Sequence, residues 1–418
     1  MSEFPHIAVS ELVASGEVEL KTGPFGTQLK ASEYTERGTP VINVRNIGSG
    51  NIRADKLEFI SPGTRDRLSS HLLRRGDIVF GRKGAVERHV FIRQEQDGWF
   101  QGSDCLRLRF ASRRVEPLFA SYYFLTEGHQ RWMMNQCSHG ATMASLNQEI
   151  LERIELPIPP LPVQGRIAGI LSAYDELIQN SQRRIRILEE MSRAVYREWF
   201  VHFRFPGHEK IPRLGSSLGD IPKGWEVKKL AEVAKVNRAQ INARTAPEEL
   251  HYIDISSVSP GQIDSITTYA FADAPGRARR IIQHGDVLWS CVRPNRRSHA
   301  QVMHPAPDTI ASTGFAVLTA TKVPFTFLYF ATTTDDFVAF LTNNATGAAY
   351  PAVSGATFEK ADLLIPPAPL LKNFGDATIP MAERIHILQR QIQNLRRTRD
   401  LLLPRLLSGQ TVVEPEQS

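Results

Sequence analysis

Arginine is the side chain whose placement in this sequence points first to chemistry. Between residues 277 and 297, Arg277, Arg279, Arg280, Arg293, Arg296 and Arg297 are accompanied by a single acid, Asp286. An earlier basic group comprises Arg74, Arg75, Arg82, Lys83 and Arg88. A guanidinium offers a planar fork of donors that fits a phosphate or the edge of guanine, and Asn or Gln amides fit adenine. The overall charge of +6 is modest, with a pI near 9.2. Its clustering at matching places in two halves of the chain is what points to a polyanion.

Signatures of bond-making chemistry are missing. A base-amino methyltransferase needs an acid or amide ahead of its Pro-Pro-Tyr loop, whereas this chain has Ile158-Pro159-Pro160-Leu161 and Ile365-Pro366-Pro367-Ala368. Pro307-Asp308 lacks the acid and lysine of a metal-dependent nuclease. No Gly-x-x-x-x-Gly-Lys-Ser/Thr loop and no nucleophile elbow occurs. Cys105, Cys137 and Cys291 are too few and too scattered for a disulfide framework or zinc ribbon, and Cys137-Ser138-His139 has no neighbouring ligands. The expectation is a recognition protein rather than a catalyst, with no metal of its own.

The elements that must present these side chains are duplicated. Gly140-Ala141-Thr142, Glu152-Arg153, Leu156 and Ile158-Pro159-Pro160 return as Gly347-Ala348-Ala349, Glu359-Lys360, Leu363 and Ile365-Pro366-Pro367. Upstream, Arg75-Gly76-Asp77-Ile78-Val79 returns as His284-Gly285-Asp286-Val287-Leu288, and Val41-Ile42-Asn43-Val44 as Tyr252-Ile253-Asp254-Ile255. Blocks kept in order with a slowly drifting offset mark a duplicated domain, not a solenoid. Within 418 residues, this gives two globular units with room for separate cores. Short apolar, β-branched runs predict strands at 40–44, 78–80, 90–92, 106–110, 252–255, 287–290 and 315–318. Helical patches are expected at 117–126 and 324–333, an α+β pattern.

Each copy ends in a long helical stretch. After Pro157, Pro159, Pro160 and Pro162, which should keep the chain out of helix, a seam of Leu171, Ile178, Ile185, Leu188 and Val195 repeats at heptad spacing. The second copy offers Ile385, Leu388, Ile392, Leu395 and Leu402, interrupted by Arg399 and followed by Gly409. Two matching seams are most simply satisfied by each other, as an antiparallel coiled coil between pseudo-two-fold-related domains. The competing expectation is that each helix packs only on its own domain. The boundaries are then 1–163 for the first domain, 164–206 for the first helix, 207–371 for the second domain and 372–410 for the second helix. No run of 18 apolar residues and no basic-then-apolar leader is present, so the expected setting is the cytoplasm.

The order domain, helix, domain, helix carries Gly23-Pro24-Phe25-Gly26, Pro40-Val41-Ile42-Asn43-Val44-Arg45-Asn46-Ile47, Ala194-Val195-Tyr196-Arg197-Glu198-Trp199-Phe200 and the 395–406 helix end. Together these resemble the specificity (S) subunit of type I restriction-modification systems over almost the whole chain. The resemblance implies two target recognition domains, each reading half of a bipartite double-stranded DNA target. It implies helices that set the spacing and dock two modification (methyltransferase) subunits, to which restriction (translocase/nuclease) subunits add. S-adenosylmethionine, ATP and Mg would belong to those partners, and the chain would be non-catalytic. A standalone or fused DNA modification enzyme is the alternative, and a protein-binding scaffold without a DNA role is a further rival. The expected DNA-contacting residues are Gln28, Lys30, Arg45, Asn46, Arg82 and Lys83 in the first domain. In the second they are Ser256, Arg293, Asn295, Arg296, Arg297 and Asn344. The second copy has Asn237-Arg238-Ala239-Gln240 where the family often has a second Gly-Pro-Phe-Gly turn.

Overall fold

The computed structural model describes residues 4–137, 144–217, 219–411 and 413, so Ser138-His139 and the Gly140-Ala141-Thr142 block lie outside the described residues. The chain divides into two compact units, one of residues 1–179 with 392–418 and the other of residues 180–391.

In the first unit, a five-stranded sheet runs in the order Val18–Thr22, Cys105–Phe110, Ile78–Gly81, His89–Phe91, Ser49–Gly50. A four-stranded sheet runs Tyr34–Thr35, Glu58–Ile60, Thr39–Ile42, Phe100–Gln101, with its last pair parallel. The second unit repeats the plan. One sheet has Ala234–Val236, Phe315–Ala320, Val287–Ser290 and His299–Gln301; the other has Thr267–Ala270, Glu249–Ile253, Thr309–Ser312 and Ala278–Ile281, with Glu249–Ile253 parallel to Thr309–Ser312. Even the register is kept, since Ile78 faces Leu108 and Val287 faces Leu318. The duplication read in the sequence is therefore a duplication of topology.

The strands Ile78–Gly81 and Val287–Ser290 are buried at every position. Alternate side chains point to opposite faces of a strand, and here both faces meet core. Ile78 and Phe80 enter one cluster while Val79 enters another; Val287 and Trp289 enter one while Leu288 enters another. Continuous apolar runs without polar alternation are the sequence trace of that arrangement.

The Gly-Asp pair before each of these strands turns the chain. Gly76 and Gly285 have φ of 90° and 85°, a left-handed backbone that favours glycine. The aspartates that follow are both almost fully buried, but the two copies satisfy them differently. Asp77 accepts from Arg74 N at 2.8 Å and from Arg109 Nη2 and Nε at 2.7 and 2.8 Å. Asp286 accepts from Gln283 N at 2.8 Å and from the Thr319 hydroxyl at 2.7 Å, with a neutral residue on the strand position matching Arg109. Burial raises the Asp286 carboxyl from its ordinary 3.8 to about 6, against the lowering pull of Thr319, Gln283 and Arg238.

The long helices span Leu161–Tyr196, continued by a π turn over Arg197–Val201, and Ala368–Leu407. The expectation that Pro162 excludes helix is corrected: it sits in the first turn, as does Pro369, where a missing N–H has no intrahelical partner to lose. In the first unit Ile167, Ala168 and Leu171 share a cluster with Leu403, Leu406 and Leu407. Arg399 Nη1 donates to Asp175 Oδ1 at 2.5 Å, so the segments run antiparallel. The same polarity holds in the second unit, where Ser192 Oγ donates to Met381 Sδ at 3.1 Å and Tyr196 meets Phe374. Leu171, Ile178, Leu388 and Ile392 are buried on the seam. Ile185, Leu188, Val195, Ile385, Leu395 and Leu402 are half-buried, with Leu403 deeper than Leu402. Pairing and packing on the domain coexist: Tyr196, Phe200, Phe327 and Phe374 form one aromatic group in the second unit. In both units this resolves the two expectations for the helices together rather than choosing between them. Among the described residues no helix is long and apolar enough to cross a membrane.

Candidate nucleic-acid interface

In each unit the loop that joins the two central antiparallel strands carries basic side chains. It runs from Arg82 to Arg88 in the first and from Cys291 to Ser298 in the second. Both loops are fastened in the same way by backbone hydrogen bonds to a segment far along the chain. Gly84 N donates to Ala144 O and Leu146 N to Arg82 O; Arg293 N donates to Pro351 O and Val353 N to Cys291 O. Bridges between Lys83 and Ser145 and between Val292 and Ala352 complete the match. The repeated Gly-Ala block is thus the neighbour of the basic loop in the second unit.

The second loop is the more strongly built. Arg293 and Arg297 both have left-handed φ, 51° and 56°, flanking a short 3-10 turn at Pro294–Arg296. That turn displays Asn295 and Arg296 at the surface. The Arg293 guanidinium lies 4.7 Å over the Tyr350 ring and donates to Ala349 O at 3.3 Å. Tyr350 is 69% exposed, so an aromatic face and a cation stand together in solvent. Arg297 is paired with Asp335. Asn344, at the C-terminal cap of the helix Asp335–Asn343, donates to Phe340 O at 2.8 Å. In the first loop Lys83 is exposed, 3.8 Å from Asp104. Arg82 is half-buried, and its Nε has no hydrogen-bond partner among the described residues.

The other expected residues divide by environment. Gln28 and Lys30 are exposed beside Phe25, itself 61% exposed. The Gln28 carbonyl accepts from Arg67 Nη1, and Lys30 N donates to Glu33. Gly23 is required here, since a Cβ would lie 2.0 Å from Gly102 O. Arg45 is exposed and paired with Glu58 at 2.6 Å. Asn46, expected to face a base, is instead 0% exposed. Its amide donates to Arg53 O and Asp55 O and accepts from Asn43 N, so it shapes the turn that presents Arg45. Ser256 is exposed, with its hydroxyl and backbone N both donating to Asp254 Oδ1.

Some arginines, one of them in the second basic run, serve the fold. Arg279 lies over Phe271, and Arg107, with no exposed side chain, donates to Glu19 at 2.6 Å. Residue type alone cannot separate such arginines from surface ones. Tyr350 was not among the expected residues, although its position just after the Gly-Ala repeat block was the available signal. Beneath each loop the next strand opens on a buried histidine, His89 or His299, which burial pushes down to about 3 and about 4 respectively. Both are neutral at physiological pH, so the positive potential comes from the loop arginines and lysine.

A basic hairpin loop, present once per unit and joined in the second by an amide and an exposed aromatic, can hold phosphates and offer donors to base edges. Residues 19–190 match the model of the Type I restriction modification DNA specificity domain. The chain is 25% identical over 305 residues to the type I restriction enzyme MjaIX specificity subunit of Methanocaldococcus jannaschii, covering 70% of this chain and 69% of that protein. It is 19% identical over 414 residues to the HindI specificity subunit of Haemophilus influenzae, covering 81% and 87%. The fold matches a crystal structure of a type I restriction-modification S subunit from M. genitalium with a TM-score of 0.64 at 15% identity, over 97% of this chain and 96% of that one.

Proposed function

We infer, from a chain that is a homologue of type I restriction-modification specificity subunits, that it is the DNA-reading subunit of such a system. Each unit reads one half of a bipartite double-stranded target through its basic hairpin loop. The observation that carries this is the pair of loops, Arg82–Arg88 and Cys291–Ser298, fastened identically and basic in both copies. The helical seam is the docking region for two modification subunits, and helix length sets the unread gap. Restriction subunits complete the complex in the cytoplasm.

S-adenosylmethionine, ATP and Mg are assigned to those partners, because the duplicated loops offer phosphate and base contacts rather than a nucleotide cradle. Within each loop most contacts go to phosphate, which fixes register, while a minority read sequence. Arg293, Asn295 and Arg296 are the strongest candidates in the second unit, and Arg82, Lys83, Arg45 and Gln28 in the first.

The test is reconstitution. The purified chain alone should transfer no methyl group; mixed with its modification subunit and S-adenosylmethionine it should direct methylation to one bipartite sequence. Methyl transfer by the chain alone, or methylation whose sequence is unaffected by its presence, overturns the reading.

A further inference from the structure

We propose that His284, His304 and Glu383 bind one transition-metal ion, Zn2+ being the expected one, which pins the second recognition domain to its long helix. His284 lies in the turn before strand Val287–Ser290 and His304 just after strand His299–Gln301. Glu383 projects from the helix Ala368–Leu407 within the same unit. Glu383 Oε2 is 2.7 Å from His304 Nε2, and Oε1 is 3.6 Å from His284 Nε2. The two rings lie 4.3 Å apart. One ligand atom from each of the three residues falls within 4.8 Å of the others. His386, one turn further along the helix, has its ring 5.4 Å from that of His304 and is the available fourth ligand.

Two imidazoles and a carboxylate suit Zn2+, Co2+ or Ni2+, and do not suit Mg2+ or Ca2+, which take oxygen ligands. Ligand bonds of about 2.0–2.2 Å are reached by small side-chain movements from this spacing. A metal on His284 Nε2 leaves the ring hydrogen on Nδ1, so the 3.3 Å contact in which Nδ1 accepts from His304 N must open.

Comparison of the two copies supplies an independent argument. In the first unit the domain is locked to the helices by polar contacts: Tyr122 OH donates to Asp175 Oδ2 at 2.6 Å, and Asp175 pairs with Arg399. At the matching positions the second copy has Tyr329, Ala382 and Ser192, which cannot make that lock. A cavity of about 260 Å³ lined by Ser192, Tyr329, Ala382 and His386 lies there instead. The first copy in turn carries Arg75, Gln94 and Gln179 where the second has His284, His304 and His386. The imidazoles occur in the copy whose junction lost its ion pair.

The experiment uses the full chain without an affinity tag, stripped with a chelator and titrated with Zn2+ by calorimetry and with Co2+ by visible absorption. Expected results are one ion per chain, cobalt ligand-field bands, and slowed amide exchange around residues 283–305 and 380–390. The partly exposed His304→Gln and Glu383→Gln should retain the fold by circular dichroism. Each should weaken Zn2+ binding by more than the ~10–100-fold typical of losing an outer-shell partner. Absence of Zn2+ binding, or equal binding by wild type and both variants, overturns the proposal; the latter would show only adventitious binding at other histidines.

Discussion

Replacing Asp286 with asparagine should remove a pH dependence that belongs to the second unit alone. The wild-type carboxyl titrates near 6 in the fold against 3.8 as a free side chain. A raised folded pKa means that the folded state holds the proton more tightly. Its stabilising contribution is therefore complete below about pH 3.8 and is lost as pH rises through about 6. Two pKa units at about 1.36 kcal/mol each correspond to a loss on the order of 3 kcal/mol. The introduced amide would still accept from Gln283 N, and the Thr319 hydroxyl can turn to accept from its NH2 group, so the variant should fold. His299, depressed to about 4 by burial, acts in the opposite sense by destabilising the fold as pH falls below 6.5. It is present in both proteins and cancels in their difference. The assay is denaturant unfolding followed by tryptophan fluorescence, Trp289 reporting from the core beside the site. Wild-type stability minus that of D286N should fall by up to about 3 kcal/mol between about pH 4 and about pH 7. A difference that is flat, or that rises with pH, would refute the argument that burial without a cation governs this carboxyl.

In the first unit, Asp77→Ala should cost about 1.5–3 kcal/mol in the same unfolding assay, since it removes the close carboxylate from Arg109, which keeps Leu72 O and the more distant Glu19, and the partner of Arg74 N. Asn46→Ala should destabilise by about 1–3 kcal/mol by removing the buried amide's hydrogen bonds to Arg53 O, Asp55 O and Asn43 N, which shape the turn. It should leave the target sequence unchanged in methylation mapping, where a changed half-site would restore Asn46 as a reader. Asn295→Ala with Arg296→Ala should weaken DNA binding in a salt titration: a side chain that neutralised a phosphate takes about 0.9 off the slope when removed, and one that read a base costs about 1–3 kcal/mol at one position. Unchanged affinity and slope would exclude this loop. Inserting one heptad after Ile185 and one after Ile392 adds ~10 Å of helix at ~1.5 Å per residue and keeps the seam. At ~3.4 Å per base step, the mapped gap should lengthen by about three base pairs; an unchanged gap would show that helix length does not set it.

Periodicity made the long helices and their seam legible, because a heptad pattern is local and survives without knowledge of the partner. The central strands were legible for a similar reason: Ile78-Val79-Phe80 and Val287-Leu288-Trp289 can hardly be placed other than between two apolar layers. Sheet order was not legible, since the parallel pairing of Thr39–Ile42 with Phe100–Gln101 joins segments far apart in the sequence with several other strands between them. The candidate interface was legible at the level of loops rather than of side chains. Arg293 and Arg279 look alike in sequence, yet one lies over an exposed Tyr350 and the other packs on Phe271. Asn46 shows the same limit from the other side, because an amide suited to adenine is equally suited to carbonyls of its own turn. The swap of Arg109 for Thr319 opposite the buried aspartate was visible only once strand register was known.

The fastening of the two basic loops is made by backbone amides and carbonyls: Gly84 to Ala144, Leu146 to Arg82, Arg293 to Pro351, Val353 to Cys291. Apart from proline, and outside the left-handed positions Gly84 and Arg293, any residue supplies the same donor and acceptor, so such a clasp places little demand on the side chains displayed between its anchor points. Mutation can therefore rewrite the displayed residues Lys83, Asn295 or Arg296 while the strands, the buried histidines and the helix seam continue to fold as before. Under the proposed function, inherited change in the target would have a short route, through loop letters alone, with a small cost in stability along it.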